Sequence, residues 1–224
     1  MQKPSRKGLF KYLLALALAA AAGAEFSDSR LLAIPETLVS EVADEVAFEP
    51  SEWPREARSR VLWLLSTDPR PRVRARVARN LGALAKIAPS RSLSLIERLA
   101  RDESVRVRVA AAEGLERALA VMHPGQRIEL LCQWATANQP NQREVLARAL
   151  LNHVHTPVSD FVIDTLATDE RPHTRLHAAR AAAQHYSRSP AQYAETLSRL
   201  ARDADARVAR AARVGLNDGR IERA

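Results

Sequence analysis

The side chains best suited to metal chemistry in this sequence are its six histidines. His173 and His177 are four residues apart, which would place both on one face of a helix, as a metal pair requires. His153 and His155 end an earlier predicted helix that runs parallel to this one, so they would lie at its opposite end. No carboxylate completes an H-E-x-x-H pattern. The histidines therefore do not converge, and we expect no bound metal and no cofactor.

Cys132 is the single cysteine of the chain, which excludes an internal disulfide framework and a multi-cysteine zinc site. It lies in a mostly apolar predicted helix, so we expect a buried side chain that packs as a small apolar group. The sequence contains no glycine-rich phosphate loop, nucleophile elbow or paired-carboxylate motif. It therefore predicts a protein without catalytic activity.

Arginine is the other residue type that could recognise a ligand. Arg72, Arg106 and Arg207 recur at matching positions near the starts of three predicted helices. More arginines follow on the same kind of helix, and we define the basic strip as Arg72, Arg76, Arg79, Arg106, Arg180, Arg207 and Arg210. A guanidinium presents a planar fork to carboxylates and phosphates, so the strip is suited to an acidic partner. The competing interpretation is a solvated helix face that is rich in arginine because of genome composition.

A recurring phrase sets the positions of these arginines. An acidic residue is followed by valine and arginine five and six places later, then by an alanine patch and a leucine, as in residues 102–115. Copies begin at Asp68, Asp102, Asn138, Asp169 and Asp203, at intervals of 34, 36, 31 and 34 residues. A period of this length is typical of stacked-repeat proteins.

Each repeat is predicted to contain two helices, a first helix and a second helix. The predicted pairs are about 54–65 with 71–87, 90–101 with 104–121, 124–137 with 141–153, 157–168 with 172–186, and 190–202 with 204–216. Thr156 and Ser189 each place a hydroxyl before a proline, which favours a helix start. Only ten residues are aromatic, which disfavours a sheet. The predicted fold class is all-α, a solenoid of about five antiparallel helix pairs.

The phrase Asp-x4-Val-Arg-x2-Ala-Ala…Leu resembles the second-helix signature of HEAT repeats, especially the bacterial type also found in phycobilisome lyases. The resemblance covers residues 54–216, although the third copy, with Asn138 and Arg143, hardly matches. It implies a right-handed solenoid whose second helices line the concave face. It also implies a ladder of acids and arginines that pair between neighbouring units, here Asp68, Arg74, Asp102, Arg108, Asp169, Arg175 and Asp203.

The N-terminal residues 1–24 have the character of a targeting segment. Basic residues precede an apolar run, and small residues at 22–24 offer a cleavage site. We expect a signal peptide and an exported, periplasmic protein; the alternatives are a membrane anchor and an ordinary first helix in a cytoplasmic protein. Residues 25–53 are a predicted acidic helical cap, residues 54–216 the solenoid, and residues 217–224 a C-terminal tail.

The formal charge of +8 is unevenly distributed, because residues 25–60 carry −5 and residues 61–224 carry +9. The sequence therefore predicts a non-enzymatic scaffold or adaptor that binds an acidic protein partner through the basic strip. Two alternatives remain. One is a lyase-like or chaperone-like accessory subunit for a cofactor-bearing client, and the other is a cytoplasmic protein that binds nucleic acid.

Overall fold

A computed structural model describes residues 35–48, 55–152, 156–186 and 188–221, which form helices and no strand. The helices are α1 (Glu36–Phe48), α2 (Arg55–Leu65), α3 (Pro71–Leu84), α4 (Pro89–Ala100), α5 (Val105–Val121), α6 (Pro124–Ala135), α7 (Pro140–Ala149), α8 (Pro157–Leu166), α9 (Pro172–His185), α10 (Pro190–Leu200) and α11 (Ala206–Ile221). A short 3₁₀ turn, Leu150–Asn152, follows α7. The predicted all-α solenoid of about five helix pairs is confirmed.

The helices stack in two layers. The second helices α3, α5, α7, α9 and α11 pack in that order, and each contacts the first helix of its own pair. Helix α1 packs against α3 and so extends the second-helix layer at its N-terminal end. Three predicted features lie wholly or partly outside the described residues. They are the predicted signal peptide, residues 25–34 and 49–53 of the predicted cap, and the two histidines at 153 and 155.

Prolines and polar caps set the helix starts. Proline occupies the first turn of most helices after α2, where its missing N–H costs nothing and its fixed φ suits a helix. Thr156 also caps α8, because its hydroxyl accepts from the Ser159 N–H at 3.2 Å and the Ser159 hydroxyl closes the reciprocal bond. At the other end of the chain, α11 continues through Gly219 to Ile221 and so enters the predicted tail. Gly219 does not end the helix, because a single glycine destabilises a helix by only about 1 kcal/mol.

Small residues allow the second helices to approach closely. A Cβ on Gly114 of α5 would lie 2.2 Å from the carbonyl oxygen of Ala78 on α3. A Cβ on Gly215 of α11 would lie 2.4 Å from the Cβ of Ala183 on α9. The alanine patches of the repeated phrase are likewise buried in the core that these helices share. The phrase therefore encodes the spacing of the second-helix layer, on which the candidate site lies.

Candidate functional site

A geometry that recurs at the turns links one unit to the next. The Arg74 guanidinium donates from Nε and Nη2 to the Asp102 carboxylate at 2.7 and 2.9 Å, and from Nη1 to the Asp68 carbonyl at 2.8 Å. Arg175 repeats this arrangement with the Asp203 carboxylate at 2.6 and 2.9 Å and the Asp169 carbonyl at 2.9 Å. Each arginine thus joins the turn of its own unit to the turn of the next.

The third unit contains a ladder arginine that the sequence pattern did not identify. Arg143 donates to the Asp169 carboxylate at 2.5 Å and to the Ala137 carbonyl, six residues earlier, at 2.7 Å. Because the other ladder arginines bond the carbonyl six residues before them, Ala137 occupies the position of the repeated acid. The predicted register of this unit, which began at Asn138, is therefore wrong by one residue. The burial of Gln142 supports this register, because Gln142 lies five residues after Ala137, as the buried Val73 and Val107 lie five residues after their aspartates.

The ladder lacks one carboxylate, at the contact between α5 and α7. Arg108 donates from Nη1 to the carbonyls of Asp102 and Glu103, at 3.0 and 2.9 Å, as its counterparts do. Its buried Nε has no hydrogen-bond partner among the described residues. The side chain that would accept this bond is Ala137, which has no oxygen to offer.

The ladder contacts shift the acid–base equilibria of their members. Hydrogen bonds to the partner aspartates raise the pKa of Arg74, Arg143 and Arg175. The hydrogen bond from Arg175 is the main reason that the pKa of Asp203 is lowered. In the Arg175–Asp203 pair both shifts favour the charged forms, so this pair stays ionised across the physiological pH range.

The N-terminal half of the basic strip is compensated by acids on neighbouring second-layer helices. Arg76 donates from Nε and Nη2 to the Asp44 carboxylate on α1, and Arg79 donates from Nε to Glu113 on α5 at 2.6 Å. Arg72 lies 3.7 Å from Glu36, also on α1. Arg106 is exposed on α5 and has no ion pair with a described residue. The strip is therefore not a continuous band of free positive charge.

The C-terminal half of the strip borders a groove of about 560 Å³ between α9 and α11. We call it the C-terminal groove, and its lining includes Leu151, Leu176, Arg180, Arg207, Arg210 and Val214. Arg180 and Arg210 are exposed and make no ion pair among the described residues, whereas Arg207 lies 2.8 Å from Asp205. The groove thus combines an apolar floor with two uncompensated guanidinium groups on opposite helices.

The apolar floor was missed by sequence reasoning. Leu176 is buried, while Val214 is 50% exposed. Leu176, Arg180 and Ala183 follow helical spacing on α9, but the same spacing describes a core stripe. Only the position of α11 beside α9 shows that this stripe opens onto a groove.

His177 lies beside the groove, and its pKa reflects the burial and the positive charges around it. Burial lowers its pKa to about 4, with further lowering by the positive charges of Arg148, Arg180 and His173. Its Nδ1 has no hydrogen-bond partner among the described residues. The interior next to the groove therefore disfavours an additional positive charge.

This lowered pKa predicts a stability that depends on pH. Above the unfolded-state value of about 6.5 both states are neutral, whereas between pH 6.5 and pH 4 the unfolded chain takes up a proton that the folded chain excludes. We expect His177 to remove about 1 kcal/mol of stability between pH 7 and pH 5.5. Urea denaturation at both values should show this slope in the wild type and a smaller slope in His177→Leu. The exposed neighbour is the control: because burial is the main cause of the lowered His177 pKa and His173 only a minor one, His173→Gln should keep most of the wild-type slope. Equal slopes in all three proteins would contradict the assignment.

Cys132 is exposed on α6, so the predicted buried position is wrong. It faces solvent because α6 buries the opposite side, with Leu131 and Trp134 in the core. The described residues contain no group of three or more metal-ligating side chains. Within the same residues, no helix has the length and apolar character needed to cross a bilayer.

The outer layer has its own polar link between α8 and α10. The Tyr193 hydroxyl donates to the Asp160 carboxylate, and both side chains are buried. Burial and this bond raise the pKa of Tyr193. Nearby, Asp164 accepts from Thr196 at 2.8 Å and from Arg199 at 2.7 Å. These acids have partners inside the fold, so we assign them a structural role.

Comparisons with known proteins agree with this architecture. Residues 58–123 match the family described as HEAT repeats. The structure of AlkD2 from Streptococcus mutans is similar with a TM-score of 0.63 and 12% identity, over 92% of this chain and 97% of that chain. The structure of crescerin, which uses a TOG domain array to regulate microtubules in the primary cilium, gives a TM-score of 0.54 and 16% identity, over 84% and 87% of the two chains.

At these identities the two structures show the fold alone. The search of curated proteins gives no match. The matched segment, the stack of helix pairs and the shared fold together show that this chain is a helical-repeat solenoid with HEAT repeats at residues 58–123.

Proposed function

We propose that this HEAT-repeat scaffold is a non-catalytic adaptor that binds an acidic segment of a protein partner in the C-terminal groove. The observation that carries the proposal is the pair Arg180 and Arg210, which flank an apolar floor and have no acidic partner among the described residues. An apolar side chain of the partner would cover Leu176 and Val214. Carboxylates on either side of it would meet the two guanidinium groups.

The distribution of charge favours a protein segment over nucleic acid. A protein that follows a phosphate backbone typically neutralises several phosphates along a continuous basic surface. Here Arg76 and Arg79 already pair with Asp44 and Glu113, which leaves the N-terminal half of the strip largely neutralised. The apolar groove floor also matches a peptide side chain better than a sugar-phosphate chain. AlkD2 therefore contributes a comparison of fold and no assignment of activity.

The test measures the affinity of a fluorescently labelled peptide in which leucine alternates with glutamate, with binding detected by fluorescence anisotropy. We expect Arg180→Glu/Arg210→Glu to weaken its affinity by about tenfold or more, because attraction becomes repulsion on both sides of the groove. Arg60→Glu/Arg202→Glu is the matched control, since it changes the net charge equally at exposed positions outside the groove. Equal losses in the two variants would show that only net charge matters. A higher affinity for a labelled DNA duplex than for the peptide in the same assay would favour nucleic-acid binding instead.

A further inference from the structure

The ladder contains three complete arginine–aspartate contacts with which an incomplete contact can be compared. At three contacts between units, one arginine holds an aspartate of the following turn: Arg74 with Asp102, Arg143 with Asp169, and Arg175 with Asp203. These side chains are between 3% and 17% exposed, so each contact is largely shielded from water. The arrangement recurs in one chain and therefore defines what a completed contact looks like.

A backbone donor completes each of these carboxylate sites. Asp102 accepts from the Ser104 N–H at 2.9 Å, Asp169 from the Arg171 N–H at 2.8 Å, and Asp203 from the Asp205 N–H at 2.8 Å. The donor is always two residues after the aspartate. A complete site thus has two guanidinium donors from one unit and one backbone donor from the next.

The contact between α5 and α7 retains the donors and lacks the carboxylate. Arg108 is anchored through Nη1 to two carbonyls, as its counterparts are, and its buried Nε has no acceptor among the described residues. Ala137 stands where the aspartate stands elsewhere, because Arg143 bonds its carbonyl. Two residues later, the Gln139 N–H has no acceptor within the described part of the chain.

The charges around this contact favour an anion. Asp102, the acid that opens this copy of the repeated phrase, is already engaged by Arg74, and Glu103 is 92% exposed. Arg143 is occupied by Asp169 and Glu170. Arg101 pairs with Glu97 and reaches the Gln142 side-chain oxygen at 3.3 Å. Arg108 is therefore left with a positive charge that no described acid compensates.

We propose that the contact between α5 and α7 is a binding site for a small carboxylate anion. The carboxylate accepts from Arg108 Nε and Nη2 and from the Gln139 N–H, in the place that an aspartate carboxylate fills at the other contacts. Ala137 differs from aspartate by the carboxylate itself, so a ligand of that size restores the missing group. The site lies on the turns and is independent of the C-terminal groove.

Acetate is the probe for this site, with acetamide as its neutral isostere and sodium chloride to hold ionic strength constant. In the wild type we expect the Arg108 Nε–Hε resonance to shift saturably with acetate, and Tm to rise by about 2–4 °C. Acetamide and chloride should produce neither effect. Absence of the acetate effect, or an equal effect of chloride, would overturn the proposal.

Two variants separate this site from general effects of salt. Ala137→Asp supplies the carboxylate within the chain, so its Tm without acetate should already be higher by about 3 °C or more, and acetate should add nothing. Asn138→Asp places an acid one residue away and should retain the acetate response. Arg108→Met should lose the response even if Ala137→Asp folds poorly. An acetate response that survives in both Ala137→Asp and Arg108→Met would place the anion elsewhere and refute the site.

Discussion

Arg74→Met is expected to lower the free energy of unfolding by about 3 kcal/mol, the largest effect among the substitutions considered. Arg74 and Asp102 are each only 10% exposed, and the guanidinium also bonds the carbonyls of Asp68 and Pro69. Its removal leaves the Asp102 charge without its guanidinium partner, and the carbonyls of Asp68 and Pro69 lose this donor. Urea denaturation followed by circular dichroism should show the loss as a lower midpoint.

Arg72→Met is the matched control, because Arg72 lies two residues earlier on the same helix. Its side chain is 68% exposed, and it lies 3.7 Å from Glu36, so its removal should change stability by no more than about 0.5 kcal/mol. A similar loss in both variants would mean that helix propensity or net charge, rather than the contact between units, governs stability. Such a result would contradict the assigned role of the ladder.

Gly114→Ala is expected to lower the free energy of unfolding by about 2 kcal/mol. Alanine normally stabilises a helix by about 1 kcal/mol relative to glycine, so intrinsic propensity predicts the opposite sign. The added Cβ would lie 2.2 Å from the Ala78 carbonyl oxygen. Since that neighbour is backbone, α3 and α5 must move apart to accept it. The same urea experiment measures the change.

Gly125→Ala provides the control for helix propensity. Gly125 also lies in a helix, but its nearest neighbour to an added Cβ is the His123 ring at 3.6 Å, an ordinary contact distance. We expect Gly125→Ala to leave stability unchanged or slightly raised. If Gly114→Ala behaves in the same way, the spacing between α3 and α5 is wider than this structure has it.

The repeat period and the acid-led phrase predict most of the fold. They locate the helix pairs because each copy repeats the same start residues and the same apolar spacing. The register of the third unit could not be read correctly, since Asn138 looks like a degraded acid while the true position holds Ala137. Only the bond from Arg143 to the Ala137 carbonyl reveals the alignment. Small polar residues are ambiguous in this respect, because they suit several positions in a turn.

The candidate site was less accessible from the sequence than the fold. Arg76 and Arg180 both appear as exposed helical arginines in the pattern, yet Arg76 pairs with Asp44 and Arg180 pairs with no acid among the described residues. The difference depends on α1, which lies outside the repeated phrase and joins the second-helix layer. Charge compensation is set by three-dimensional neighbours, and a linear pattern does not contain that information. The exposure of Cys132 was missed for a similar reason, since an apolar helix does not show which of its sides faces solvent.

The missing carboxylate between α5 and α7 also has a mechanical consequence. The contact between α3 and α5 has both the Arg74–Asp102 pair and an interlocked glycine, and the contact between α9 and α11 has Arg175–Asp203 and Gly215. The contact between α5 and α7 has no such pair within the described part of the chain, and α7 contains no glycine. Elastic strain applied along the stack concentrates at its most compliant contact. We therefore expect the solenoid to bend most readily at this contact, with the C-terminal groove on one side and the paired arginines of α3 on the other.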